Sequence, residues 1–175
     1  MGEIKSTLEL VMERTSHLSL SEEEKVQQQR ADFEKRLEGL LNKYADDALS
    51  ADEFLDRIAK LQVEMKISDR QLILGAIFRR IIPENDNERW LNILESLAPD
   101  IIDSMREFLM DYHEQQADLF QSSKKRLLDQ LARHHKIEGS AVIPNPEKDT
   151  GYQEDLATIR RDTRARIETI KKQVL

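Results

Sequence analysis

The chain has no cysteine among its 175 residues, which excludes disulfide cross-links, thiol nucleophiles and thiolate metal ligands, and fits a reducing compartment. Glycine and proline are also scarce, at five and four. Gly2, Gly39, Gly75, Gly139 and Gly151 each stand alone, so no phosphate-cradling loop, dinucleotide fingerprint or nucleophile elbow can be written across them. Zinc signatures are absent as well. Long apolar runs are missing too. The most apolar segment, Leu72 to Phe78 followed by Arg79 and Arg80, falls far short of the roughly 20 residues a membrane-spanning helix needs. It reads as a core helix, with Gly75 allowing a close helix crossing.

What remains is helix-rich and highly charged. Hydrophobic residues make up 39% and charged residues 35%, a profile of long helices rather than turn-rich sheet. A chain of this size closes one core and buries roughly 65–70% of its unfolded surface. Met1-Gly2-Glu3-Ile4-Lys5 runs straight into an amphipathic pattern without a continuous apolar stretch, so no secretory signal is expected and the expected location is cytoplasmic. Gly2 with Ser6 meets the minimal myristoylation pattern, but Glu3 serves equally well as a first-turn acid.

Charge divides the chain. Residues 1–123 hold 26 acidic and 15 basic side chains, a balance of −11, while residues 124–175 hold 8 and 12, a balance of +4. That change of sign suggests that the tail meets something acidic, in this molecule or another.

Helix starts are marked by a capping residue three positions ahead of Glu, Gln or Asp: Ser21 with Glu24, Ser50 with Glu53, Ser68 with Gln71, Asn85 with Glu88, Thr150 with Gln153 and, more weakly, Asp100 with Asp103. Apolar residues recur at helical spacing between the marks. Ile4, Leu8, Val11 and Met12 form a first stripe. Val26, Phe33, Leu37, Leu40, Leu41 and Tyr44 form a second, and Phe54, Ile58, Leu61 and Met65 a third. A fourth helix over 69–82, apolar nearly all round, is expected at the centre and closed by Pro83. Trp90, Ile93, Leu94 and Leu97 give a short fifth, with Trp90 as a core anchor. The sixth runs from Ile101 to Lys136 without proline or glycine, roughly 50–55 Å if unbroken, so part of it is expected to project. Its polar middle, 111–118, implies either two different partners for one helix or a kink near Ser122 and Ser123.

The break from Gly139 to Gly151 is extended where Pro144 and Pro146 fix it. Val142 and Ile143 in this strap either pack onto the body or are offered to a partner. The last helix then carries a narrow seam of Leu156, Ile159 or Thr163, Ile167, Ile170 and Val174, as a helix lying against one other helix requires. The organisation expected is an all-α, irregular multi-helix bundle with one long projecting helix and a C-terminal arm: a helical body over 1–138, a linker over 139–150 and an amphipathic helix over 151–175.

Constellations that carry chemistry are few. Glu107, Asp111, Glu114 and Asp118 form a ladder of like charges on one helix face, read as a solvated face, a docking face for a basic helix or, with nearby His113, a metal site. No Glu-x-x-His occurs, which the carboxylate-bridged iron bundles need twice. His134 and His135 diverge by about 100° on a helix and, with Arg133 and Lys136, suit its C-terminal dipole. Arg160, Arg161, Arg164, Arg166, Lys171 and Lys172 crowd the tail, interleaved with Glu154, Asp155, Asp162 and Glu168.

The functional expectation is a non-enzymatic interaction or scaffold protein without catalytic residue, cofactor or metal. It self-associates, a dimer being favoured, or binds another helical protein. Its contacts come from the ladder, from Val142 and Ile143, and from Leu156, Ile159, Arg160, Arg164, Ile167, Ile170 and Val174 of the tail. A nucleic-acid- or ribosome-associated factor using basic segments 124–136 and 157–172 is the alternative, with a metal-binding helical protein behind it; no membrane partner is expected.

Overall fold

The computed structural model describes residues 21–139 and 141–175, and among them the chain is all-helical, with six α-helices and no strand. The Gly2–Ser6 pattern and the stripe of Ile4, Leu8, Val11 and Met12 lie outside the described residues. The chain divides into two compact units, 1–68 and 69–175. The division therefore falls inside the stretch 1–138, and the linker and last helix belong to the second unit.

In the first unit, α1 (Glu22–Ala45) and α2 (Ala51–Met65) form a hairpin. Both begin where the capping spacing places them. The Ser21 hydroxyl accepts the Glu24 N–H at 3.1 Å while the Glu24 carboxylate accepts the Ser21 N–H at 2.7 Å. Ser50 and Glu53 repeat the arrangement at 3.2 and 2.9 Å, and the bonds that the Ser50 N–H and, at 3.1 Å, the Ser50 hydroxyl donate to the Glu53 carboxylate hold it below its ordinary pKa. Phe33, Leu37, Leu41 and Tyr44 of α1 are buried, as are Phe54, Ile58 and Leu61 of α2, with the Tyr44 and Phe54 rings stacked at 4.8 Å. Val26 departs from the expected stripe and is 63% exposed. The last residue of α2, Met65, accepts a hydrogen bond from the Gln29 amide, so no turn of α2 lies opposite Val26.

The second unit holds α3 (Arg70–Phe78), α4 (Glu88–Leu97), α5 (Ile102–Gln130) and α6 (Thr150–Val174). Ile73 to Phe78 are buried on every side of α3, as its composition requires, and Trp90, Leu91, Ile93 and Leu94 of α4 are buried too. Four caps differ from the sequence expectation, one of them at α5, where Ile101 holds the cap position and Asp100 lies inside the 3-10 turn Pro99–Ile101. Asp69, not Ser68, starts α3, its carboxylate accepting the Leu72 N–H at 3.1 Å; an anion there also complements the helix dipole. Asn87 stands at the start of α4, but its side chain serves the preceding turn, accepting the Ile82 N–H at 3.0 Å and donating to the carbonyls of Ile82 and Asn85 at 2.8 and 2.7 Å. Helix α3 therefore ends at Phe78, short of Pro83, and Ile82 is exposed. At α6 the cap position is Asp149, and Thr150 is already helical.

Helix α5 is unbroken past Ser122 and Ser123, about 43 Å over 29 residues. It stops before Lys136 because Leu131–His135 widen into a π turn and Lys136 is left-handed. Gly139 follows at φ +133°, a backbone angle that only glycine adopts without strain. The strap then reverses direction. Asp149 meets Arg126, the Tyr152 ring meets Phe120 edge-on at 6.1 Å, and Arg166 reaches Asp111 at 3.3 Å, so α6 runs antiparallel to α5. Instead of standing bare, α5 is accompanied along much of its length. At the end of α6 the Gln71 amide donates to the Leu175 carbonyl, and the Leu175 side chain lies over Gly75. The close approach expected at Gly75 is thus made by the last residue of the chain.

Candidate interaction surfaces

The seam of α6 lies within its own chain. Leu156, Ile167 and Ile170 are buried, Ile159 and Val174 are half-buried, and Tyr152 and Thr163 complete the row. Tyr152 had the right spacing, four residues before Leu156, to be included. Thr163 rather than Ile159 takes the buried position, on the side where Leu156 and Ile167 set the phase.

Charges flank that seam in register. Glu84, in the turn between α3 and α4, lies 3.0 Å from Nε of Arg160 and 3.3 Å from a terminal nitrogen of Arg164. The hydroxyl of fully buried Tyr112 stands against the Arg160 guanidinium; this contact, opposed by partial desolvation and aided by Glu84, raises the already high basicity of the arginine. Arg166 pairs with Asp111 and lies over the Phe108 ring, 5.4 Å from its centre, in cation–π geometry. Arg161 neighbours Asp162 at 3.5 Å, and Lys171 meets Glu168 at 3.0 Å. Most tail cations therefore face acids of the same chain.

The carboxylate ladder is split by the rotation of α5. Asp111 lies on the flank toward α6. Glu107, Glu114 and Asp118 are exposed and have no ion pair among the described residues. Two residues that the sequence reading passed over share this outward stripe: Asp103, four positions before Glu107, and Met110, 63% exposed between the acids. A shallow recess beside it is lined by Asn85, Asp86, Arg106, Met110 and exposed His113. Among the described residues no group of three or more His, Cys, Asp or Glu is placed to hold a metal ion, and no helix is long and apolar enough to cross a membrane.

In the strap, Val142 is half-buried and Ile143 is 80% exposed. Lys125, Arg126, Arg133 and exposed His134, with Ser122, Asp129 and Gln130, line an open recess at the end of α5. It is the part of basic segment 124–136 that faces solvent together.

A further surface lies in the first unit. Arg36, Gly39, Leu40 and Lys43 of α1 and Arg57, Lys60, Leu61 and Glu64 of α2 line a groove of about 320 Å³. Each set follows i, i+3, i+4, i+7, one helix face apiece. The floor is Gly39, Leu40 and Leu61. The rim carries four cations and one anion. Arg36 is bridged to Glu64 at 2.6 Å, and Lys60 to Asp56 at 2.7 Å. Lys43 and Arg57 have no ion pair among the described residues, Arg57 acting on Glu53 only from a distance. No sequence signal joined these residues, because each helix taken alone shows only an ordinary mixed-charge face.

No family model, no curated protein and no solved structure matches the chain.

Proposed function

We propose that this chain is a non-enzymatic helical interaction protein that self-associates, with the outward face of α5 as a contact surface. One observation carries the reading. The apolar seam of α6 is occupied by its own chain, whereas the outward side of α5 presents Glu107, Met110, Glu114 and Asp118 in one exposed line without an ion pair among the described residues. An apolar side chain framed by acids on a rigid helix is suited to a cationic groove on a protein. The α6 contribution to such contacts is then indirect: it holds α5 in place.

The nucleic-acid reading loses much of its second basic segment, since Arg160, Arg164 and Arg166 are turned to Glu84 and Asp111. It rests on the recess at Lys125, Arg126, Arg133 and His134.

Sedimentation equilibrium over a concentration series tests self-association. The purified chain is expected to exceed the monomer mass, and Glu107→Lys with Glu114→Lys to return it to the monomer. A wild-type chain that stays monomeric up to ~100 μM, the concentration range of a weak but usable complex, ends the reading.

A further inference from the structure

We infer that the α1–α2 groove is the receptor for α5 of a second copy of this chain, Met110 entering above Gly39 while Glu107 and Glu114 meet the rim cations. The inference rests on the proposed self-association and supplies its other half.

Gly39 is the first support. It lies in the interior of α1, where glycine is less favourable than alanine, yet a Cβ added there meets nothing within 4 Å. No neighbour among the described residues requires the position to be small. The missing side chain leaves a notch in the groove floor, between Leu40 and Leu61. Methionine, unbranched and polarisable, fits an irregular notch well.

Charge is the second. The rim holds Arg36, Lys43, Arg57 and Lys60 against Glu64, and internal bridges answer Arg36 and Lys60 while leaving Lys43 and Arg57. On α5, Glu107, Glu114 and Asp118 are likewise unanswered. Both surfaces thus keep charges of opposite sign with no ion pair among the described residues, in a protein of net charge −7 where a cationic groove stands against the general charge.

Spacing is the third. Glu107 and Glu114 are seven residues apart, about 10.5 Å along a helix, and the α1 side of the rim runs over the same seven residues from Arg36 to Lys43. Rim charges of this kind fix register and speed encounter, while the apolar centre supplies the adhesion.

Four variants test it, each checked for helicity by circular dichroism and weighed by sedimentation equilibrium. Gly39→Leu fills the notch with a strong helix former and is expected to weaken self-association at least ~10-fold, with Gly39→Ala as the milder step. Lys43→Glu with Arg57→Glu, and separately Glu107→Lys with Glu114→Lys, are each expected to be monomeric alone. Mixing these two double variants sets the basic α5 of one against the acidified groove of the other and leaves one native pairing, and a mixed dimer is expected. If the wild type associates but Gly39→Leu and the groove double variant keep its mass, the groove assignment is overturned while self-association stands. A monomeric wild type overturns both. Two monomeric double variants that fail to associate on mixing overturn the pairing of these charges.

Discussion

Arginines and lysines stand in two different situations on this molecule. On α6, Arg160, Arg164 and Arg166 meet Glu84 and Asp111 of their own unit, around a seam of buried apolar side chains. On the α1–α2 hairpin, Lys43 and Arg57 rim an open groove and meet no acid within ion-pair distance among the described residues. The same residue types do different work in the two places. The Glu84 side chain, only 22% exposed, must be answered where it lies, because desolvation without a partner is costly. Cations at an open groove stay hydrated and remain available to a partner.

The largest effect should come from unseating the helix that carries the answered set. Ile167→Ala removes a buried side chain from the seam, and urea denaturation is expected to show a loss of about 2–4 kcal/mol. A loss below about 1 kcal/mol would mean that α6 is not seated as described. Next comes the acid that answers two arginines at once. Glu84→Ala leaves Arg160 and Arg164 facing each other without a counter-charge, and is expected to lower stability by about 1–2 kcal/mol in thermal or chemical unfolding, with Glu84→Gln costing less. If both variants melt with the wild type, Glu84 does not fix those side chains. The smallest effect belongs to the groove. Lys43→Ala with Arg57→Ala should change stability by no more than about 0.5 kcal/mol, since no internal pair is broken. A loss above about 1 kcal/mol would assign those cations a structural role and erase the contrast.

Much of the helical layout was legible in the sequence because its determinants are local. Ser21 with Glu24 and Ser50 with Glu53 lie three residues apart, and the bonds between them form wherever the first turn forms. The buried phase of α1, α2 and α4 follows from spacings of three and four. Legibility failed where a side chain served a different stretch of backbone. Asn87 belongs to the turn at Ile82 and Asn85, so the expected cap at Asn85 did not form. Val26 kept the right phase but ran past the end of α2. The acidic ladder was visible as a row of four, yet its division into one answered carboxylate and an outward line depended on which side α6 occupies.

Sequence alone determined that this protein is helical, that a strap bounded by Gly139 and Gly151 reverses or releases its last helix, and that this helix needs a partner along one narrow seam. Helix formation, capping and the extended conformation before proline are set within a few neighbouring residues, so they can be read without knowing the fold. Tertiary structure decided that the partner is α5 of the same chain, that Glu84 answers arginines 76 and 80 residues away, and that Gly39, Leu40 and Leu61 share a groove floor. Those pairings are distant in sequence and arise only when packed helix faces fix the rotation of each helix. No local pattern encodes which face that rotation leaves exposed.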